Sequence, residues 1–259
     1  MHLSTNEYRL DWPEGVGRRI LQQTDSTNAE AARIAQTLAG PEWVLALHQT
    51  GARGRRGKAW INPEGNFSAT YVMRPHETPA EVALRSFVAS LALYDALSAA
   101  TGRSEGLALK WPNDVLLGGG KVAGILLESF GTGGQVAHLA IGIGVNLVVA
   151  PDVDDVEPDA VRPVSLRQET GIRIAPHEFL DVLAPAYSHW EHQFISFGFA
   201  VIRHAWLSRA ARIGDVITAR TGSNQTTGVF ETVDETGNLV LSTPQGRQVI
   251  AAAEVFFLE

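Results

Sequence analysis

Residues 51–58, Gly-Ala-Arg-Gly-Arg-Arg-Gly-Lys, place three arginines and a lysine among three glycines. Glycine lets a backbone approach an anion closely, and guanidinium groups donate to phosphate or carboxylate in a planar fork. The spacing is not that of a P-loop, because Ala52 stands where the first glycine belongs and Ala59 follows Lys58. A dinucleotide fingerprint fails at Ala52 as well. We therefore predict an anion-binding loop, the alternative being a solvated basic turn.

Lysine is rare in this chain, which holds only Lys58, Lys110 and Lys121. Lys121 follows three glycines and precedes an apolar strand, so we expect it to have a specific role. A compact ammonium group can stabilise charge that develops on a carbonyl or phosphate oxygen. Lys110 opens the segment Lys-Trp-Pro-Asn-Asp, residues 110–114, which predicts a turn at a strand end; its alternative is an ordinary hairpin corner.

Two further segments carry polar side chains beside predicted elements. Ser26, Thr27 and Asn28 open a predicted helix, with Thr27 and Glu30 spaced as a capping box. Such side chains cap the helix or face a neutral polar ligand such as a urea or amide ring. Asn146 ends an Ile-Gly-Ile-Gly-Val strand pattern and is either a reader of a base edge or ribose or a strand-end turn former.

The elements that must position these segments follow from hydrophobic periodicity and turn residues. Strands are predicted at 18–22, 43–48, 66–73, 107–111, 115–117, 122–128 and 135–147, and helices at 24–40, 78–102, 176–197 and 199–211. This order predicts an α+β fold with helices set against one side of a sheet. Short β-like runs after Gly214 predict a small barrel. We expect a main domain over 1–211 and a β-domain over 212–259.

The remaining patterns concern packing and mobility. The aromatic set of the two long C-terminal helices is predicted to pack in the core; it comprises Phe179, Tyr187, Trp190, Phe194, Phe197 and Trp206. The acid- and proline-rich segment 150–163 is predicted to be a mobile loop. His189 and His192 lie three residues apart on an aromatic helix, and we interpret them as packing and surface residues rather than metal ligands.

Composition excludes several classes of protein. With 259 residues, 45% of them hydrophobic, the chain can bury a core, and its net charge of −7 argues against a broadly basic nucleic-acid face. Zero cysteines exclude a disulfide framework and a thiol nucleophile. The N-terminal residues show no apolar signal region, and the mostly apolar run 137–150 is too short to span a bilayer. We expect a soluble, cytoplasmic protein.

Four segments, taken in order, resemble the motifs of the biotin protein ligase family. They are Asp25–Asn28, the loop Gln49–Gly57 with Trp60 after it, Lys110–Asp114 and Lys121–Leu126. The resemblance covers about residues 20–150, and the β-rich C-terminal part is similar to the family's layout. Any one motif is unspecific, but four with compatible spacing are specific.

The resemblance implies a catalytic domain with a mixed sheet flanked by helices and an SH3-like C-terminal barrel. It also implies a two-step ligase reaction: biotin and Mg-ATP form biotinyl-5′-AMP and pyrophosphate, and a lysine of a biotin carboxyl carrier domain then takes the biotin. Acetyl-CoA carboxylase is the expected acceptor, and pyruvate or propionyl-CoA carboxylases are equally compatible. Concentrated positive charge suits the first step, which brings two anions together, and a dry site suits the second.

Site residues follow from the same resemblance. Arg53 and Lys121 would be catalytic and meet the biotin carboxylate and the α-phosphate. The implied biotin-binding residues, whose polar members hold the ureido ring or frame its pocket, are Ser26, Thr27, Asn28, Gln49, Arg53, Gly54, Arg55, Lys121 and Gly124. The implied ATP-binding residues are Arg55, Arg56, Trp60, Lys110, Asn113, Asp114 and Asn146, with Trp60 offering a face for adenine. No metal ligand is assigned directly, and the loop 150–163 is expected to order over the adenylate.

The sequence departs from the family pattern in three places. Ala52 replaces the first glycine of the Gly-Arg-Gly-Arg-Arg-Gly loop, and Gly120 stands where a basic residue often precedes the lysine. Only 23 residues precede Thr24, too few for the winged helix-turn-helix of the family's repressor members, so we expect no operator binding.

Two other functions stay open at this point. One is a lipoate or octanoate ligase or transferase of the same superfamily. The other is a non-catalytic module that binds RNA or a protein, against which stand the net charge and the absence of aromatics interleaved on a basic face. A homodimer through a sheet edge also stays open, as does any general base for the acceptor lysine.

Overall fold

The computed structural model describes residues 11–58, 60–132, 135–157, 160–222 and 224–257. Residues 1–10, part of the segment that shows no signal region, and residues 158–159 of the predicted mobile loop lie outside the described residues. The strands of the larger sheet are β1 (Gly17–Thr24), β2 (Glu42–Gln49), β3 (Phe67–Met73), β4 (Leu107–Lys110), β5 (Asp114–Leu117), β6 (Gly120–Phe130) and β7 (His138–Val145). The helices are α1 (Thr27–Ile34), α2 (Pro79–Ala83), α3 (Arg85–Thr101), α4 (Leu166–Thr170), α5 (Pro176–Phe197) and α6 (Phe199–Leu207).

The seven strands form one mixed sheet in the order β1-β2-β3-β7-β6-β5-β4. Only β1 and β2 pair in parallel, and every other neighbour pair is antiparallel. Helices α3 and α5 pack together and against one face of the sheet, where Trp43 and Leu45 of β2 join the same core. Helix α1 packs on the other face of β2, β3 and β7, where Ala31 meets Val44. The expectation that the helices lie on one side of the sheet is therefore wrong, because alternate strand residues are apolar on both faces. The predicted α+β class and the implied mixed sheet are confirmed.

Helix α2 begins at the predicted position and is capped by its own first residues. The Thr78 hydroxyl accepts from the Glu81 backbone N–H while the Glu81 carboxylate accepts from the Thr78 N–H, which makes a capping box. The helical path continues through Leu84 into α3 and ends at Gly102, which has a left-handed φ of 70°. The segment Pro79–Thr101 has the length and hydropathy of a membrane span, but 67% of its most apolar 18-residue window is buried inside the protein.

The predicted aromatic packing is confirmed with one exception. Phe179, Tyr187, Trp190, Phe194 and Trp206 are buried. Phe197 is 62% exposed, so its predicted core position is wrong. The reason is its place in the last turn of α5, directly before Gly198, where the chain turns into α6 and the apolar stripe of the helix no longer faces the sheet. Helix α6 also ends earlier than predicted.

The C-terminal strands form an open sheet instead of the expected barrel. They are β8 (Val216–Thr221), β9 (Asn224–Val233), β10 (Leu239–Thr243), β11 (Gly246–Ile250) and β12 (Glu254–Phe257), all antiparallel, in the order β11-β10-β9-β8-β12. The edge strands β11 and β12 do not pair. Closure is unnecessary because the apolar residues of this sheet, such as Phe230 and Leu241, join the core of the main domain.

Candidate functional site

One cavity of about 520 Å³ lies where the larger sheet, the basic loop 51–58, the loop 150–163 and strand β12 meet. All fifteen site residues singled out in the sequence line it: Ser26, Thr27, Asn28, Gln49, Arg53, Gly54, Arg55, Arg56, Trp60, Lys110, Asn113, Asp114, Lys121, Gly124 and Asn146. The fold therefore brings together site residues that lie up to 120 positions apart in the chain, as Ser26 and Asn146 do.

The basic loop is closed on itself by backbone hydrogen bonds. The Gly54 N–H donates to the Lys58 carbonyl (2.7 Å), and the Trp60 N–H donates to the Ala52 carbonyl (3.0 Å). Arg56 has a φ of 58°, a left-handed conformation that is strained for a residue with a side chain. Arg55 is half-buried and donates to Asn113 Oδ1 (3.2 Å); burial lowers its pKa from the ordinary arginine value.

The segment 110–114 forms the hairpin corner between β4 and β5. Asp114 is buried between two ammonium groups, with Lys121 Nζ at 2.8 Å and Lys110 Nζ at 3.8 Å. Burial alone would raise the pKa of the Asp114 carboxyl, but the charges of Lys121 and Lys110 outweigh it and lower that pKa. Burial lowers the pKa of Lys110. We call Arg55, Lys110 and Lys121 the cationic group of the cavity.

A second set, Thr27, Asn28 and Gln49, lies around the start of α1, and we call it the polar group. The predicted capping box of α1 is wrong: the helix begins at Thr27, and the side chain of its N-cap residue, Ser26, makes no capping hydrogen bond. The Thr27 and Asn28 side chains instead turn inward. Gln49 Oε1 accepts from the Thr27 backbone N–H (2.7 Å), which leaves the Gln49 Nε2 group as the donor not used in that bond.

Glycines of β6 and β7 form the wall that joins the two groups. Gly142 lies under Asn28, since a Cβ on that glycine would be 2.4 Å from Asn28 Oδ1. Gly144 lies under Trp60, since a Cβ there would be 2.5 Å from the indole ring. Two residues along a strand span about 7 Å. The polar group and Trp60 therefore lie one pleat apart on the same wall.

Asn146 is buried at the end of this wall and holds a neighbouring segment. Its Nδ2 donates to the Val164 carbonyl (3.0 Å), and its own carbonyl accepts from the Leu166 N–H (2.8 Å). The Lys121 N–H donates to the Arg162 carbonyl (2.8 Å) in the same segment. Of the two alternatives for Asn146, the structure shows a strand-end structural residue that also lines the cavity; ligand contact through it stays a prediction.

Several lining residues escaped the sequence reasoning. Ser68 is 2% exposed, lines the cavity, and its hydroxyl has no hydrogen-bond partner among the described residues. Glu254 from β12 pairs with Arg56 (3.1 Å) and Lys58, and Lys58 also pairs with Glu157 (2.7 Å). No local pattern signals these positions: Ser68 reads as one residue of an apolar strand, and Lys58 and Glu254 are 196 positions apart.

Within the described ranges, no three or more histidine and carboxylate side chains are grouped as a metal site. The predicted role of the two α5 histidines as packing and surface residues agrees with their places: His189 packs edge-on against Trp190, and His192 is exposed beside Ser196. Of the carboxylates that line the cavity, Asp114, Glu157 and Glu254 are paired with cations.

The arrangement combines neutral hydrogen-bonding groups with concentrated positive charge. The polar group suits a small amide-like or urea-like ring, and the cationic group suits carboxylate and phosphate oxygens. Because these cations are fixed by Asp114, Asn113 and the backbone, they need little reorganisation when an anion binds. A molecule with a neutral polar ring at one end and an anionic group at the other would contact both the polar group and the cationic group.

Two family models and several known proteins are similar in sequence to this chain. A family model described as Biotin/lipoate A/B protein ligase family matches residues 16–146, and one described as Biotin protein ligase C terminal domain matches residues 213–258. The biotin--[acetyl-CoA-carboxylase] ligase of Paracoccus denitrificans is 58% identical over 238 residues, which is 92% of this chain and 99% of that protein. The bifunctional ligase/repressor BirA of Bacillus subtilis is 30% identical over 98% of this chain and 78% of its own length.

Solved structures show the same similarity. The biotin protein ligase of Aquifex aeolicus in complex with biotin and ATP superposes with a TM-score of 0.77 and 25% identity, covering 92% of this chain and 97% of that one. The biotin protein ligase of Leishmania major in complex with biotinyl-5-AMP superposes with a TM-score of 0.64 and 19% identity, covering 91% of this chain, and bears on the fold alone.

Proposed function

Since this chain belongs to the biotin/lipoate A/B protein ligase family, we propose that it activates biotin with ATP and transfers it to a lysine of a biotin carboxyl carrier domain. The observation that carries the proposal is the cavity itself, in which the polar group and the cationic group share one glycine wall. The match to the biotin ligase C-terminal domain and the 58% identity favour biotin over lipoate or octanoate and argue against a non-catalytic binding module.

In the first step, the biotin carboxylate attacks the α-phosphorus of Mg-ATP, a phosphorus–oxygen bond forms, and pyrophosphate leaves. The magnesium ion enters with the nucleotide as part of the substrate, held mainly by phosphate oxygens. Lys121 and Arg53 neutralise the charge that accumulates where the two anions meet, and Arg55, Arg56 and Lys110 hold the nucleotide phosphates. Thr27, Gln49 and Ser26 bind the ureido ring.

In the second step, the amine of the acceptor lysine attacks the acyl carbon of biotinyl-5′-AMP, an amide bond forms, and AMP leaves with the electron pair of the broken bond. Water must be kept from the mixed anhydride until the acceptor arrives. The described part of the loop 150–163 lines the cavity, and Lys58 ties Glu157 of that loop to the basic loop. We assign this loop the role of covering the adenylate, in a cytoplasmic enzyme whose acceptor is a carrier domain such as that of acetyl-CoA carboxylase.

Pyrophosphate release tests the function directly. The purified protein is mixed with Mg-ATP and with biotin, lipoate, octanoate or no acid, in the absence of acceptor. We expect release only with biotin, followed by biotin transfer when a carrier domain is added. Release with lipoate or octanoate alone would assign the protein to the rival branch, and no release with any acid would contradict the adenylating function.

The hydrogen-bond donor that Gln49 offers to the ureido ring gives a prediction. Because its Oε1 accepts from the Thr27 N–H, Gln49→Glu keeps that acceptor but replaces the Nε2 donor by a second carboxylate oxygen. The ureido carbonyl then meets an anion instead of an N–H, so we expect the KM for biotin to rise about tenfold or more. Steady-state pyrophosphate release measures it, with an unchanged KM for ATP as the control. An unchanged KM for biotin would contradict the assignment of Gln49 to the ring.

The wall glycines give a prediction for Trp60. Gly144→Ala places a methyl group 2.5 Å from the indole ring, so Trp60 must move away from the wall. If Trp60 offers its face to adenine, we expect the KM for ATP to rise about tenfold, the size of one lost aromatic stacking contact. The same assay measures it, and Trp60→Ala is the matched variant that must show the same change. A normal KM for ATP in both variants would remove Trp60 from the nucleotide site.

A further inference from the structure

A chain of hydrogen bonds leads from the protein surface to the polar group. Glu128 is an exposed residue of β6 that does not line the cavity, and its carboxylate accepts from Asn28 Nδ2 (2.7 Å). Asn28 Oδ1 accepts from the hydroxyl of Thr70 (2.6 Å), a fully buried residue of β3. The Thr70 hydroxyl lies 2.8 Å from the Thr27 hydroxyl, which faces the cavity. We call these four residues the relay.

The direction of the first two bonds is fixed by chemistry. A carboxylate only accepts, so it orients the Asn28 amide with Nδ2 towards Glu128, and the Leu126 carbonyl at 3.4 Å from Nδ2 favours the same orientation. Asn28 Oδ1 then faces Thr70 and needs its proton. A hydroxyl has one proton, so once Thr70 donates to Asn28 it has only lone pairs left for Thr27.

The last bond follows from the previous two. The short contact between the Thr27 and Thr70 hydroxyls is satisfied when Thr27 supplies the proton, which leaves the Thr27 oxygen with lone pairs towards the cavity. The donor and acceptor pattern of the site thereby matches a cyclic urea, with Thr27 accepting from a ring N–H and Gln49 Nε2 donating to the ring carbonyl.

We propose that Glu128 is a positioning residue, which acts through Asn28 and Thr70 to hold the Thr27 hydroxyl as an acceptor and so makes the site selective for a ligand with a ring N–H. The proposal rests on the proposed function, because it names what that site selects. Glu128 and Thr70 touch no ligand; they set the polarity of a group that does.

The test compares biotin with a carbamate analogue in which a ring oxygen replaces the N–H that faces Thr27. For the wild-type protein we expect the analogue to be about tenfold to a hundredfold poorer in kcat/KM, the effect of leaving one buried acceptor unpaired. Thr70→Val removes the acceptor of the Thr27 proton, so the Thr27 hydroxyl is free to donate to the ring oxygen. We expect the discrimination to fall to about twofold, and Thr70→Ser to restore it.

Glu128→Lys tests the surface end of the relay. An ammonium group donates to Asn28 Oδ1, so it favours the reversed amide and the opposite polarity along the relay. We expect the same loss of discrimination, with kcat for biotin changed much less than the ratio between the two substrates. One matched control is Thr218→Val, which also breaks a hydrogen bond between two threonine hydroxyls (2.8 Å) by removing the buried one. The other is Glu235→Lys on an exposed turn, and both must keep the wild-type ratio.

The outcomes separate the two proposals. Wild-type discrimination retained in Thr70→Val and Glu128→Lys would overturn the relay while leaving the biotin ligase function intact. A wild-type protein that releases no pyrophosphate with biotin would overturn the proposed function, and the relay's role with it. If Thr70→Val does not fold, Glu128→Lys alone decides, because its side chain is on the surface.

Discussion

Lys121→Met is expected to lower biotin-dependent pyrophosphate release by about a hundredfold to a thousandfold, the effect of removing one fixed donor from a site of developing charge. Lys121 Nζ lies 2.8 Å from buried Asp114 and 5.7 Å from the Trp60 ring, so it is held where the cationic group meets the glycine wall. The loss should fall on kcat, because the charge that Lys121 offsets is greatest in the transition state.

We expect Lys121→Met to lower the stability of the protein as well as its activity, and the two effects can be measured separately. Without Lys121, the Asp114 carboxylate loses its nearest cation and keeps Lys110, 3.8 Å away, and the charge of Arg55. We expect the free energy of unfolding to fall by about 1–3 kcal/mol. Adding Asp114→Asn to Lys121→Met removes the unpaired charge and should recover part of that stability without recovering activity. Arg162→Ala is the matched cation control, since Arg162 is exposed and only its backbone carbonyl bonds to Lys121. Full activity in Lys121→Met would refute the catalytic assignment.

Arg85→Met is expected to lower the free energy of unfolding by about 3–5 kcal/mol. Arg85 is 1% exposed at the start of α3 and forms ion pairs with Glu77 (2.7 Å) and with Glu191 of α5 (2.8 Å). Its removal leaves the Glu191 carboxylate buried with the Tyr187 hydroxyl (3.2 Å) as its one remaining side-chain donor in the described part of the chain. Urea denaturation at pH 7 measures the loss, and Arg247→Met, which breaks an exposed pair with Glu231, should cost less than about 1 kcal/mol.

The stability that Arg85→Met loses should depend on pH in a defined direction. Burial already raises the pKa of Glu191 above 4.5 despite the charge of Arg85, and removing Arg85 raises that pKa further. A carboxyl whose pKa is higher in the folded than in the unfolded state binds more protons when folded, so stability falls as pH rises through this window. Arg85→Met should therefore be less destabilised at pH 5 than at pH 8. Glu191→Gln, added to Arg85→Met, should recover most of the loss and remove this pH dependence.

The sequence by itself determined the chemistry-bearing segments and most element types. The glycine- and arginine-rich loop, the rare lysines and the polar start of α1 all line the cavity, because each is a short segment whose residue types are tied to one chemistry. The start of the helix near Thr78 and the span of α5 were likewise readable, since helix starts and helix periodicity are local properties.

Tertiary structure decided which side chains turn inward and what they meet. Thr27 does not cap its helix, because its side chain turns inward to the Thr70 hydroxyl of β3 while its backbone N–H donates to Gln49 of β2. The C-terminal sheet stays open and gives Glu254 to the cavity, because the main domain covers its apolar face. The contact of Glu128 with Asn28 in the relay and the buried pair of Arg85 with Glu191 join residues about 100 positions apart. Such contacts depend on strand order and helix packing, which local sequence patterns do not encode.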